Sequence, residues 1–314
     1  MVESRQPYSP LVVRHRNSLR VIAAWWIACF LWSGSFVFIR LGLRDLPPLT
    51  FAWMRLVLAL TVLIPLTVAR GGFVNLDRRD IAHVTMAGVL LLGVNYGLVY
   101  WGAQFIPSGL VAILLSTTPV LALALGWLVG SETVTGRKIV ALGAGVLGVV
   151  LIFRAEAHAS GMAAIVGTLA VVGSALCVAS AYVWLKGYGK RLPPLTVTTL
   201  QCLAGVVPLA IAGVAVEGPP WEATWTATAV GALLYLALCG SVLAFWLNYW
   251  LLQRMDASAM LMMGVAEVPI AVALGAAVIG ERLPAGTLAG AACVLAGVVL
   301  GPVSTPSTES SRGS

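Results

Sequence analysis

Charge is the scarcest ingredient of this sequence. Asp, Glu, Lys and Arg make up 10% of its 314 residues, where a soluble domain carries about 25%. Too few polar side chains remain to clothe a water-facing surface, and the 60% of residues that are hydrophobic must face lipid instead. Paired cysteine is absent too: Cys29, Cys177, Cys202, Cys239 and Cys293 each stand alone in apolar runs, which argues against a disulfide framework or a thiolate metal site. The three histidines, His15, His83 and His158, fall at or beyond the ends of those runs, so neither a metal nor another cofactor is expected in the interior. The apolar runs also contain no Asp and no H-E-x-x-H, which removes the aspartyl and zinc chemistries of intramembrane hydrolysis, and we expect no enzyme. A purely structural or receptor-like membrane protein is the other class to weigh.

Long apolar runs are what the chain does have. Broken at charges, Pro and Gly, it yields ten of roughly the 20 residues that cross a bilayer, at about 19–41, 48–69, 81–103, 107–129, 135–153, 161–185, 195–216, 227–252, 257–279 and 285–304. Continuous runs of this length are helices, because a spanning strand is shorter and alternates. The first run follows the basic stretch "RHRNSLR" but is too long for a signal peptide and is kept as a span.

The cations are unevenly shared between the connections. With the N-terminus inside, Arg5, Arg14, Arg16, Arg20, Arg70, Arg78, Arg79, Arg137, Lys138, Lys186, Lys190, Arg191, Arg254 and Arg312 lie on the cytoplasmic side, against Arg40, Arg44, Arg154 and Arg282 outside. That bias predicts both termini in the cytoplasm. It also accounts for the net charge of +7 without a nucleic-acid partner.

The five letters "LPPLT" occur at 46–50 and again at 192–196, each time opening the second helix of a set of five, where Pro is tolerated because first-turn N–H groups are unpaired anyway. Other features recur in the same order at a separation of 146–150 residues. Phe36 and Phe38 match Tyr182 and Trp184; Tyr100, Trp101 and Gln104 match Tyr249, Trp250 and Gln253; Pro119 matches Pro269, and Glu132 matches Glu281. The chain is an internal duplication, divided into a basic tail at 1–18, repeats at 19–154 and 155–304, and a tail at 305–314. Five spans is an odd number, so the second repeat must be inverted relative to the first, a design suited to alternating access around one central site. The predicted fold is all-α, with ten transmembrane helices as two inverted five-helix repeats.

Trp32 to Phe36 ("WSGSF"), Pro47 followed by Arg55, Pro119 leading into "GWLVGSE", and "AEVPIAVALGAAVIGE" from Ala266 to Glu281 together resemble the EamA type of the drug/metabolite transporter superfamily. The resemblance spans about residues 20–302. It implies export or exchange of small metabolites, often amino acids, through a central cavity in the bacterial inner membrane; uptake systems also belong to that family. One departure is that Gln201 stands where the second repeat would repeat Arg55.

Only Arg55 and Glu267 place a clear charge deep in a span, at a cost of about 3 kcal/mol. Helix rise sets them about 10 and 18 Å below the outer edge, close enough to pair. Two readings stand: a site where Glu267 meets a substrate ammonium or a coupling proton, with Arg55 tuning it or meeting a substrate carboxylate, and a structural ion pair or backbone cap. Pro119 and Pro269 mark hinges or kinks in spans four and nine. Trp32, Phe36, Asn95, Tyr96, Tyr182, Gln201 and Asn248 are candidates to line a cavity for an amphipathic solute; for each, ordinary interhelical packing is the competing reading. Spans five and ten carry small-residue faces, Ala141 with Gly145 and Gly286 with Gly290, and no interior charge, which makes them packing scaffold and leaves a homodimer face open. Uptake of a sugar or phosphorylated metabolite is the alternative within transport, although a phosphate calls for more interior cations than Arg55.

Overall fold

The computed structural model describes residues 19–73, 77–131, 135–159, 161–185, 193–252, 254, 255 and 257–300. Glu132, Leu192 and Gln253, along with both tails, lie outside the described residues. Every described element is helical. Nine helices are long and apolar enough to cross a membrane, and Ala285–Leu300 is a shorter apolar tenth. The chain is a multi-pass membrane protein of ten helices.

The spans run Leu19–Gly42, Pro48–Ala69, Arg78–Gly102, Ser108–Leu128, Gly136–Ala159, Gly161–Leu185, Pro194–Glu217, then Ala227–Leu234 continuing through Ala244–Leu252, Ala257–Leu274 extended by Gly275–Ile279, and Ala285–Leu300. Their ends define two faces. Arg70, Arg78, Arg79, Arg137, Lys138 and Arg254 sit at the ends on one side, here called the basic face; the opposite, acidic face gathers Asp45, Glu217, Glu222 and Glu281.

Contacts between spans obey the exchange of each span for its counterpart five places on. Span two packs on seven and span five on ten; span one packs on eight and nine, as span six packs on three and four. Local backbone follows the same rule, with a π-helical stretch in span three at Val89–Val94 and another in span eight at Tyr235–Leu243.

The small-residue faces of spans five and ten turn toward one another within the chain. A Cβ on Gly148 would meet the Gly290 carbonyl oxygen at 2.6 Å, and one on Gly290 would meet that of Gly148 at 2.7 Å, so only glycine permits this approach. These faces are spent inside the monomer. Span five also continues as helix beyond 153 to Ala159, which corrects the expectation of a charge-free scaffold. Glu156 there is 1% exposed, and its Oε1 accepts the Thr287 hydroxyl of span ten at 2.8 Å. Large apolar side chains such as Val146, Leu147, Val207 and Ile211 remain exposed on the outside of the bundle, where lipid covers them.

Candidate functional site

A cavity of ≈170 Å³ lies among spans one, two, three, four, eight and nine. Trp32, Ser35, Phe36 and Ile39 line it from span one and Arg55 from span two; Asn95, Tyr96, Val99 and Tyr100 come from span three. Leu115, Gly240, Phe245 and Glu267 complete the wall. Trp32, Phe36, Arg55, Asn95, Tyr96 and Glu267 of the residues named from sequence are therefore brought together. Asn248 lies instead in a second hollow of ≈80 Å³ toward the basic face, with Arg70, Pro194 and Thr198, and Phe245 borders both spaces. Tyr182 is 57% exposed yet within electrostatic reach of Glu267 and Tyr96, so it stands at the basic-face side of the same space. Gln201 is elsewhere, its backbone pressed against Gly88 of span three.

Arg55 does not pair with Glu267. Its guanidinium, 4% exposed, donates from Nε to Ser241 Oγ at 3.1 Å, from Nη1 to the Tyr100 hydroxyl at 3.1 Å and from Nη2 to the Gly240 carbonyl at 3.3 Å. The ring of Tyr96 lies beneath it, 5.0 Å from Cζ to centroid. Each nitrogen has a neutral acceptor, which is how a membrane interior tolerates an arginine. Gly240 must be glycine for this: a Cβ there would stand 2.6 Å from Ser35 Oγ and 3.4 Å from Arg55 Nη2.

Glu267 is only half-buried, and among the described residues its carboxylate accepts no hydrogen bond and joins no ion pair. Its backbone is held, because Ser33 of span one donates to the Glu267 carbonyl at 3.0 Å. Asn95, 8% exposed, donates Nδ2 to the Leu91 carbonyl at 2.8 Å, while its Oδ1 has no partner. Glu267 and Asn95 both line the cavity rimmed by Trp32, Phe36, Tyr96 and Phe245, and the Asn95 oxygen itself is buried.

Backbone irregularity places these groups. The π stretch of span three ends directly before Asn95 and Tyr96, and that of span eight carries Gly240 and Ser241; the extra residue per turn re-aims the side chains that follow. Span four is broken outright. It stops at Leu115 and restarts at Thr118, with Ser116, Thr117 and Thr118 each returning a hydroxyl to the carbonyl three residues back at 2.6–2.7 Å. Pro119 occupies the first turn of the new segment, whereas Pro269 sits inside the continuous helix Ala257–Leu274.

The two faces are joined differently. At the acidic face, Glu217 of repeat two accepts the N–H groups of Leu49 and Thr50 at 2.8 and 2.7 Å, capping span two. Glu281 likewise takes the N–H and hydroxyl of Ser108 at the start of span four, with Arg40 at 3.8 Å. Thr226 donates to Asp45 at 2.6 Å. Toward the basic face no carboxylate takes part among the described residues: Thr196 donates to the Gly72 carbonyl at 2.9 Å, Thr67 and Thr199 share a bond at 2.7 Å, and Arg137 donates to the Leu300 carbonyl at 2.8 Å. The first half of span four packs on spans one, six and nine, and the second half on spans five and six. Phe245 stands between the cavity and the hollow on its basic-face side.

Sequence reasoning passed over Tyr100, Gly240, Ser241 and Phe245. Small or aromatic residues in an apolar helix carry no distinguishing signal, although the "GS" of span eight is a polar interruption. Among the described residues no cluster of three or more His, Cys, Asp or Glu could hold a metal ion.

Ten helices in two inverted sets, with Arg55 and Glu267 lining a cavity between them, have the architecture of a membrane transporter. The EamA-like transporter family model matches residues 19–154 and 165–301, and the chain belongs to that family. The uncharacterized transporter YoaV of Bacillus subtilis is 25% identical over 86% of this chain and 92% of its own length. The uncharacterized inner membrane transporter YedA of Escherichia coli K12 is 26% identical over 86% and 87%. A protein named as a probable amino-acid metabolite efflux pump in Salmonella typhimurium is 23% identical over 86% and 90%. A crystal structure at 18% identity and TM-score 0.61, covering 90% of this chain and 96% of that one, shares the fold.

Proposed function

We propose that the chain carries small amphipathic metabolites bearing an amino group, amino acids or related solutes, out of the cell or in exchange, across a bacterial inner membrane by alternating access. The basic face is the cytoplasmic one, by the excess of Lys and Arg there, and the carboxylate contacts across the acidic face act as the outer gate. The observation that carries the reading is the placement of Glu267, an uncompensated carboxylate lining the cavity between the two repeats. Intramembrane carboxylates of this kind serve as solute or proton sites. The Salmonella relative's name points the same way. Glu267 meets the solute ammonium or the coupling proton, and Arg55 holds spans two, three and eight in register.

Uptake and efflux in liposomes, with a panel of amino acids and aromatic amines and with or without a pH gradient, tests the reading. Flux of at least one amino-bearing solute is expected, lost in Glu267→Gln. No movement of any solute removes transport as the function; wild-type rate and wild-type pH response in folded Glu267→Gln removes Glu267 from it.

A further inference from the structure

The hollow on the basic-face side of Phe245 carries polar side chains that the chain itself does not use. Three spans meet there: Arg70 ends span two, Leu195 opens span seven with Thr198 one turn on, and Asn248 belongs to span eight. Among the described residues the Arg70 guanidinium, the Thr198 hydroxyl and the Asn248 amide make no hydrogen bond and no ion pair, and no Asp or Glu lines the space.

The duplication shows what such a place receives. At the acidic face the first "LPPLT" has the N–H groups of Leu49 and Thr50 held by the Glu217 carboxylate at 2.8 and 2.7 Å. The second copy opens span seven at the hollow, and its N-cap, Pro193, offers no side-chain acceptor. Under the 146–150-residue offset of the duplication the counterpart of Glu217 is Arg70, of opposite charge. Where the first site is filled by a carboxylate of the chain, the second is lined by a cation and two neutral donors.

We infer that the hollow is a docking site for the carboxylate of a small apolar-bodied solute, received by Arg70, Thr198 and Asn248 before the solute passes Phe245 into the Glu267 cavity. A guanidinium meets a carboxylate through two parallel N–H donors, and the hydroxyl and amide add neutral ones. A phosphate calls for more cations than Arg70 alone. Leu63, Val242 and Trp246 form apolar wall for the rest of the solute. The volume of ≈80 Å³ holds about five to eight water-sized groups, which suits a carboxylate on a short branched chain. The inference rests on the transport reading above and adds the place where the acid end of the solute is met.

Leucine, 4-methylpentanoate and isoamylamine share one branched chain and differ in their charged ends. Binding to the purified full-length chain is measured by calorimetry, with liposome flux alongside. 4-Methylpentanoate should bind, Arg70→Gln should weaken it at least about tenfold, one step of 1.4 kcal/mol, and Arg70→Lys should restore part of the loss. Arg70 is exposed, so both variants keep the packing. Glu267→Gln should leave the affinity for the acid unchanged, as should Arg78→Gln, which removes an exposed cation of the same face outside the hollow. Any binding of isoamylamine should be equal in Arg70→Gln and wild type. The absence of 4-methylpentanoate binding overturns the inference, as does undiminished binding in Arg70→Gln or an equal loss in Arg78→Gln or Glu267→Gln. Displacement of the acid by an equal concentration of inorganic phosphate overturns it too. So does binding of the acid in phosphatidylcholine nanodiscs that vanishes in phosphatidylglycerol ones, which assigns the hollow to a lipid headgroup. In liposomes Arg70→Gln should raise the half-saturating concentration of a transported amino acid about tenfold and leave the maximal rate alone. Flux with an unchanged half-saturation defeats the inference and leaves the transport reading standing. Arg70-dependent binding without flux of any solute has the opposite meaning: the carboxylate site stands and the transport reading fails.

Discussion

Span two and span seven open on the same letters and arrive at different chemistry. Both start at a Pro-Pro step, Pro47–Pro48 and Pro193–Pro194, and they pack against each other along their length. Span two then presents Arg55 to the π stretch of span eight, where Ser241 and Gly240 receive it. Span seven presents Gln201 to Gly88, directly before the π stretch of span three, and makes only a tight backbone contact there. Duplication kept the backbone and let the side chains part. The charged side chains of the cavity come one from each repeat, Arg55 from the first and Glu267 from the second, and neither is duplicated.

The largest effect should come from breaking that inequality. Arg55→Ala removes three hydrogen bonds, worth about 0.6–1.7 kcal/mol each in a membrane, so about 2–5 kcal/mol of stability and most transport should be lost. Gln201→Ala should cost under about 1 kcal/mol, the usual range for a site without such features. Thermal unfolding in detergent, read beside liposome flux, checks the pair; equal losses would mean that the two positions are still equivalent.

A middle-sized contrast lies between the faces. Glu281→Gln weakens the cap on span four and its contact with Arg40, and should cost about 1–2 kcal/mol, with Glu217→Gln near 1 kcal/mol. Thr196→Val at the basic face should cost about 0.5 kcal/mol. The two acid variants should also raise thiol labelling of a cysteine placed at Leu49, and Thr196→Val should not; labelling that rises in all three would erase the distinction between a closure made by carboxylates and one made without them.

The smallest effect concerns the two prolines. Pro119→Ala falls in a first turn, where no helix bond is lost to proline, and should change stability by less than about 0.5 kcal/mol. Pro269→Ala fills a gap inside a continuous helix and should stabilise by about 1 kcal/mol while slowing flux. A stabilised Pro119→Ala would place the hinge in span four instead.

Ten spans and their duplication were legible because length and hydropathy obey the bilayer's thickness whatever the side chains do. Arg55 and Glu267 were legible for a related reason, since an ionised group in an apolar run carries a cost that announces itself. Their partnership was not. Sequence spacing put them within reach of one another, but Tyr100, Ser241 and the Gly240 carbonyl satisfy the arginine first, and a backbone acceptor leaves no trace in the letters. The capping roles of Glu217 and Glu281 were not legible, because capping is a matter of which helix start folds beside them. Likewise the matched Pro119 and Pro269 concealed a broken and an unbroken helix. The three hydroxyls at 116–118 make the break affordable in apolar surroundings, and the residues before Pro269 offer none.

The central claim is that the acidic face must open for a solute to pass. Asp45 and Thr226 touch across it at 2.6 Å and lie clear of the cavity. Cysteines at these two positions, in a chain whose native cysteines are replaced by serine or alanine, can be joined as a disulfide. Flux in liposomes should stop on oxidation and return on reduction. Flux that continues at the unlinked rate with the disulfide formed would contradict the account.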